Sequence, residues 1–184
     1  MPKRIIVGVS GTSCVTIVIR ALEALKKAGV ETHLVITETA KQVIMKETDH
    51  TVDEIKKLAS KTHEIHDFFA PIASGSFVTD GMIVIPCSMK TLAGIANGNS
   101  SNLLLRAADV VLKERRKLVL VTRETPLSLI HIRNMEKATL AGAVILPPMP
   151  AYYTKPKNMD DIVEHFVGKV CDQFGIETGY RRWG

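Results

Sequence analysis

Short apolar runs alternate along this chain with longer stretches whose apolar residues recur every three or four positions. Arg4 to Val9, Thr32 to Ile36, Met82 to Ile85, Leu118 to Val121 and Ala143 to Leu146 are the runs. Their aliphatic density predicts strands covered on both faces. Between them the helical period predicts helices over about 15–28, 37–47, 51–60, 88–96, 104–113, 128–141 and 158–174. The stop and start signals agree. Gly29 ends the first helix, Thr51-Val52-Asp53-Glu54 is a capping box, and Asn158 caps the last helix. Asn97-Gly98-Asn99-Ser100 and Pro147-Pro148-Met149-Pro150 interrupt regular structure, and 63–79 carries no clear period. Strands alternating with helices predict a three-layer α/β fold: a parallel sheet with helices on both faces. No repeat, linker or low-complexity segment divides it, so residues 1–184 read as one domain.

The stretch from Leu104 to Pro126 holds the most chemistry. Leu104, Ala107, Ala108, Val111 and Leu112 form one apolar helical face, while Arg106 and Lys113, seven apart, share another. The strand run 118–121 then ends at Arg123-Glu124. In open α/β sheets, ligands bind beyond the C-terminal ends of the strands. That rim collects Gly11-Thr12-Ser13, Thr37, Ser88-Met89-Lys90-Thr91, Arg123-Glu124 and the Tyr152-Tyr153 loop. Hydroxyls, small residues and helix N-termini suit phosphate, because free N–H groups and the helix dipole both favour an anion. No Gly-x-Gly-x-x-Gly pattern is present, so a mononucleotide such as FMN fits better than a dinucleotide.

The net charge of +5 agrees with an anionic ligand, and no aromatic-interleaved basic stripe points to nucleic acid. No apolar run approaches the roughly 20 residues of a membrane helix, so a cytoplasmic protein is expected. Cys14, Cys87 and Cys171 are too few and too scattered for a disulfide framework or a zinc site. His63 and His66 lack further ligands at useful spacing, and Cys87 has no histidine placed to activate it.

Taken together and in order, several motifs are specific. They are Val9-Ser10-Gly11-Thr12-Ser13, Glu47-Thr48-Asp49, Ala73-Ser74-Gly75-Ser76 and Pro86-Cys87-Ser88-Met89-Lys90-Thr91. Arg106-Ala107-Ala108-Asp109, Leu112-Lys113-Glu114-Arg115-Arg116, Arg123-Glu124-Thr125-Pro126 and Pro150-Ala151-Tyr152-Tyr153 complete the set. With them the chain resembles the UbiX-type flavin prenyltransferases. The resemblance implies a flavodoxin-like or Rossmann-like fold in a dodecamer. It implies transfer of a dimethylallyl group from dimethylallyl phosphate to N5 and C6 of reduced FMN, without a metal. The prenylated FMN would then serve a UbiD-type decarboxylase. By the same likeness, FMN is expected on Gly11, Thr12, Ser13, Thr37, Ser88, Met89, Lys90, Thr91 and Arg123. Tyr153 and Lys169 would bind the allyl phosphate, and Glu124, Lys113, Arg106 and Glu47 would carry the chemistry. Cations suit that task, since a departing phosphate develops negative charge in the transition state.

The chain departs from the family pattern in places. Cys14 stands where a glycine is usual, so a backbone that avoids glycine-only geometry is expected there. Thr16-Ile17 replaces a tyrosine-bearing segment, Phe68 a common tryptophan, and Lys169 a frequent arginine. Plainer roles also fit some of these residues: Ser13 as a helix cap, Arg106 and Lys113 as a solvated face, Arg123-Glu124 as a salt-bridged strand end. Two other functions stay open, an FMN-dependent cysteine decarboxylase of the same fold and a non-catalytic flavin carrier. The former carries Pro-Ala-Ser-Ala-Asn-Thr where this chain has residues 86–91.

Overall fold

A computed structural model describes residues 2–183, so the two ends of the expected 1–184 domain lie outside the described residues. Among the described residues, six strands form a single all-parallel sheet: β1 (Arg4–Val9), β2 (Glu31–Ile36), β3 (Lys61–His63), β4 (Gly81–Cys87), β5 (Lys117–Thr122) and β6 (Ala143–Ile145). Their order is β3-β2-β1-β4-β5-β6. This is the doubly wound, Rossmann-type order, and the direction of winding reverses between β1 and β4. The expected α/β class is the observed one.

The pleat explains why the runs are aliphatic at every position. Ile5, Val7 and Val9 of β1 join a core under helices α1 (Thr16–Lys27), α2 (Glu38–Glu47), α3 (Val52–Lys56) and α7 (Met159–Asp172). Ile6, with Met82 and Val84 of β4, joins a second core under α4 (Met89–Ala96), α5 (Leu103–Lys113) and α6 (Leu129–Leu140). Successive side chains point to opposite faces, so a strand between two helical layers has no polar side.

Two elements differ from expectation. Strand β3 falls between the helix expected to Ser60 and the stretch from His63 that carried no period, and its Lys61 and Thr62 are exposed. An edge strand with solvent on its flank needs no apolar pattern. Helix α3 stops at Lys56 rather than Ser60, although its capping box forms as expected between Thr51 and Glu54.

At the N-terminal edge of the sheet, Glu31 pairs with Arg4 at 2.9 Å and accepts from the Nε2 of His33 at 2.9 Å. His33 in turn meets His63 of β3 at 2.9 Å. The Arg4 guanidinium, then His33, hold the Glu31 carboxyl down at about 2. Burial lowers the pKa of His33 and of His63. Because the folded value for Glu31 lies below its unfolded one, its contribution is present above about pH 4.5 and is lost towards pH 2. Melting temperatures measured down that range are therefore expected to fall less steeply for Glu31→Gln than for the unaltered chain.

Candidate functional site

The winding reversal sets the geometry of the site. At the end of β1, the buried Ser10 hydroxyl donates to the Pro86 carbonyl at 3.1 Å and accepts the Ser88 amide at 2.7 Å. This stitch ties the two diverging loops together. Ser88 caps α4 by accepting from Thr91 N–H at 3.3 Å, and Thr37 caps α2 by accepting from Ala40 N–H at 3.2 Å. Two helix N-termini thus open onto the same rim, where their unpaired N–H groups favour an anion.

Between them lies a cleft of about 640 Å³. Gly11, Thr37, Ser88, Lys90 and Thr91 line it, which unites five of the nine expected flavin residues. Gly11 is there for want of room: a Cβ would sit 2.4 Å from the Thr39 side chain. Thr12 lies beside the cleft with its hydroxyl donating to the Arg123 carbonyl at 3.3 Å, which joins the first loop to the end of β5. Met89 faces the second core and is buried, so only its backbone adjoins the rim. Ser13 does not cap α1, whose N-cap is Val15 with no side-chain hydrogen bond. Its plainer role is thereby removed. The size of the cleft and its hydroxyl, amine and N–H donors fit a mononucleotide phosphate and ring.

The cleft also has walls that sequence reasoning missed. Asn97, Asn99 and Asn102 line it, as do Glu38 and His66. Asn97-Gly98-Asn99-Ser100 was legible only as a helix break. Polar residues that end a helix and polar residues that face a ligand look alike in one sequence.

Glu47, at the end of α2, accepts the backbone N–H of Cys14 at 3.1 Å and so reaches the β1 loop. Cys14 itself has φ of +81°, contrary to the expectation that this position avoids glycine-only geometry. The turn keeps the conformation a glycine would give and imposes it on a cysteine, with the Glu47 carboxylate holding the amide. Cys14→Gly is expected to raise stability by about 1 kcal/mol, checked by urea unfolding.

The charged residues are spread more widely than expected. Arg123 and Glu124 follow β5 on the rim and do not pair; a Glu124 oxygen accepts the Thr125 amide at 3.0 Å. Arg106 and Lys113 do share a side of α5, as their spacing predicts. Arg106 donates to the Ala73 carbonyl at 3.1 Å and pairs with Asp109 at 2.7 Å, while Lys113 pairs with Glu114 beside Gly75. They do not both reach the rim. Seven residues along a helix are about 10 Å, and α5 runs down to the turn that starts β5. Lys113 therefore lies at the N-terminal edge of the sheet, away from the cleft of its own chain. Expectation gathered these cations around one sheet edge; a helix antiparallel to the strands separates them.

Tyr153 sits in a 3-10 turn after β6, with its hydroxyl 3.2 Å from His165 Nε2 of α7. Lys169, one turn further along α7, is exposed. Cys87 is fully buried, and burial pushes its thiol far above the ordinary range; burial likewise pushes Cys171 up to about 11. His63 bonds to His33 rather than to His66.

Comparison with known proteins agrees with this geometry. The Flavoprotein family model matches residues 1–171. A flavin prenyltransferase UbiX of Thauera aromatica is 55% identical over 181 residues, covering 98% of this chain and 93% of that protein. The crystal structure of AnUbiX (PadA1) in complex with FMN and dimethylallyl pyrophosphate superposes with a TM-score of 0.99 at 49% identity, over 100% of this chain and 98% of the other. A dodecameric FMN-dependent UbiX-like decarboxylase from Escherichia coli O157:H7 gives 0.96 at 52% identity, over 98% and 99%. By contrast, a peptidyl-cysteine decarboxylase shares only the fold, with a TM-score of 0.63 at 16% identity over 82% and 84%. With this cleft at the β1–β4 reversal and relatives of that closeness along its whole length, the chain belongs to the Flavoprotein family and, within it, to the UbiX-type flavin prenyltransferases.

Proposed function

We propose that this prenyltransferase moves a dimethylallyl group from dimethylallyl phosphate onto N5 and C6 of reduced FMN, as a single-domain protein of the cytoplasm. The observation that carries the reading is the cleft at the winding reversal, with two capped helix N-termini and Lys90 on its wall. Reduced FMN supplies the nucleophilic ring atoms. Gly11, Thr12, Ser13, Thr37, Ser88, Met89, Lys90, Thr91 and Arg123 hold it: hydroxyls and backbone amides take its phosphate, and the Arg123 end of β5 fixes its ring.

The other residues act on the allyl phosphate. When its C–O bond breaks, the electron pair leaves with the phosphate, and cations facing that group lower the barrier. Arg106, Lys113 and Lys169 take this role together with Arg123, while Tyr153 orients the phosphate. Glu124 accepts the proton that the flavin gives up, and Glu47 keeps the β1 loop in place. Phe68, which is 45% exposed, offers an apolar wall to the developing allyl cation. Lys113 enters from a neighbouring copy, since it lies at the wrong edge of its own sheet. A homo-oligomer is thus part of the reading, and a dodecamer agrees with the Escherichia coli relative. Prenylated FMN passes to a UbiD-type decarboxylase.

Anaerobic incubation with reduced FMN and dimethylallyl phosphate, followed by mass spectrometry of the released flavin, tests this. A gain of one C5H8 unit that disappears with Glu124→Gln is the expected result. FMN bound but unmodified would favour a flavin carrier or a decarboxylase instead.

A further inference from the structure

His165 is buried in the middle of α7, and both of its ring nitrogens have partners. Nδ1 lies 3.3 Å from the backbone carbonyl of Arg181, and Nε2 lies 3.2 Å from the Tyr153 hydroxyl. A carbonyl can only accept, so Nδ1 carries a hydrogen. In the uncharged ring Nε2 is then a bare lone pair, and the hydrogen between it and Tyr153 belongs to the phenol. Tyr153 is the donor.

The surroundings fix this arrangement from several sides. The imidazole is flanked edge-on by Tyr153 at 5.4 Å and by Tyr180 at 5.2 Å. Tyr180 can approach α7 because residue 168 is glycine; a Cβ there would lie 2.1 Å from its ring. Tyr180 also donates to Asp172, which Arg182 clasps with two hydrogen bonds of 2.9 and 2.6 Å. The Arg181 guanidinium donates to the Thr154 carbonyl at 3.1 Å, so the tail that supplies the Nδ1 acceptor also ties down the turn that carries Tyr153. Trp183 closes the cluster with its ring 5.0 Å from Tyr153.

We propose that His165 is a positioning residue for prenyl transfer, which sets the direction of the Tyr153 hydrogen bond. With its proton committed to His165, Tyr153 offers the allyl phosphate only oxygen lone pairs. It meets a hydroxyl of the protonated phosphate or the ammonium of a lysine, and does not donate to the anion. The inference rests on the reading of Tyr153 as a substrate contact.

Three variants and one spectrum test it. The side chain of Asn ends where Nδ1 stood and that of Gln ends where Nε2 stood. His165→Asn thus keeps the tail contact and loses Tyr153, and His165→Gln does the reverse. KM for dimethylallyl phosphate is expected to rise about five- to tenfold in His165→Asn and in Tyr153→Phe, the effect of roughly one hydrogen bond. His165→Gln should stay within about twofold of the unaltered protein, and FMN affinity should not move in any of them. A normal KM in His165→Asn beside a raised one in Tyr153→Phe would overturn the role of His165 and leave Tyr153 as a substrate contact. A normal KM in Tyr153→Phe would remove that contact and the inference with it. Long-range ¹⁵N–¹H spectra of the unaltered, histidine-labelled protein with FMN bound give an answer independent of folding of the variants. A neutral ring protonated at Nδ1 is expected, and one protonated at Nε2 would overturn the proposal.

Discussion

Lys113→Ala and Glu124→Gln are each expected to slow prenyl transfer by about 10²–10³-fold, the usual cost of losing one group that stabilises transition-state charge. Co-expression of the two altered chains should then restore activity. In its own chain Lys113 lies at the N-terminal edge of the sheet, about 10 Å along α5 from Arg106. Glu124 stands on the opposite rim, just beyond β5. If a neighbouring copy supplies the lysine, a chain bearing Lys113→Ala keeps a sound Glu124 and borrows Lys113 from a Glu124→Gln neighbour. Random one-to-one assembly gives about a quarter of such complete sites. If the lysine served its own chain, every mixed site would lack one group or the other. Activity in the mixture no higher than in either variant alone would therefore sink the intersubunit reading. FMN binding is the control and should be unchanged in both.

The second large effect is expected at Ser10. Its backbone N–H and its hydroxyl both donate to the Pro86 carbonyl, at 3.2 and 3.1 Å, and the hydroxyl alone accepts the Ser88 amide. Ser10→Ala leaves the Pro86 carbonyl with the Ser10 N–H but strips the Ser88 amide of its partner, which costs about 1–3 kcal/mol. The damage should not be confined to stability. Ser88 holds the cap of α4 in line with the loop after β1, so releasing its amide lets the two halves of the phosphate cradle drift apart. Loss of about one hydrogen bond's worth of alignment corresponds to about a five- to tenfold rise in the Kd for FMN, to be measured by flavin fluorescence quenching. An unchanged Kd with reduced stability would show that the stitch serves the fold alone.

The doubly wound sheet was legible because burying a parallel sheet on both faces demands aliphatic runs, and those runs are hard to mistake. Strand β3 escaped because an edge strand with exposed Lys61 and Thr62 obeys no such demand. The rim was legible for a similar reason: Gly11, Thr37, Ser88 and Thr91 follow strand ends, and chain order alone puts strand ends together. Spacing placed Arg106 and Lys113 on one side of a helix, correctly, but spacing says nothing about which end of the sheet that side serves. Asn97 and Asn99 were read as breakers because their polarity suits a loop as well as it suits a ligand. The pairing of His165 with Tyr153 could not be read at all, since it depends on how a tail of irregular chain folds back over α7.

The distribution of thiols has a practical consequence. Cys87 and Cys171 are buried and hard to ionise, while Cys14 is partly accessible on the turn that borders the flavin cleft. A maleimide dye added to the native protein should therefore attach at a single place, without any prior removal of cysteines. From there its emission would report the arrival and departure of flavin in real time, giving the enzyme a built-in optical handle.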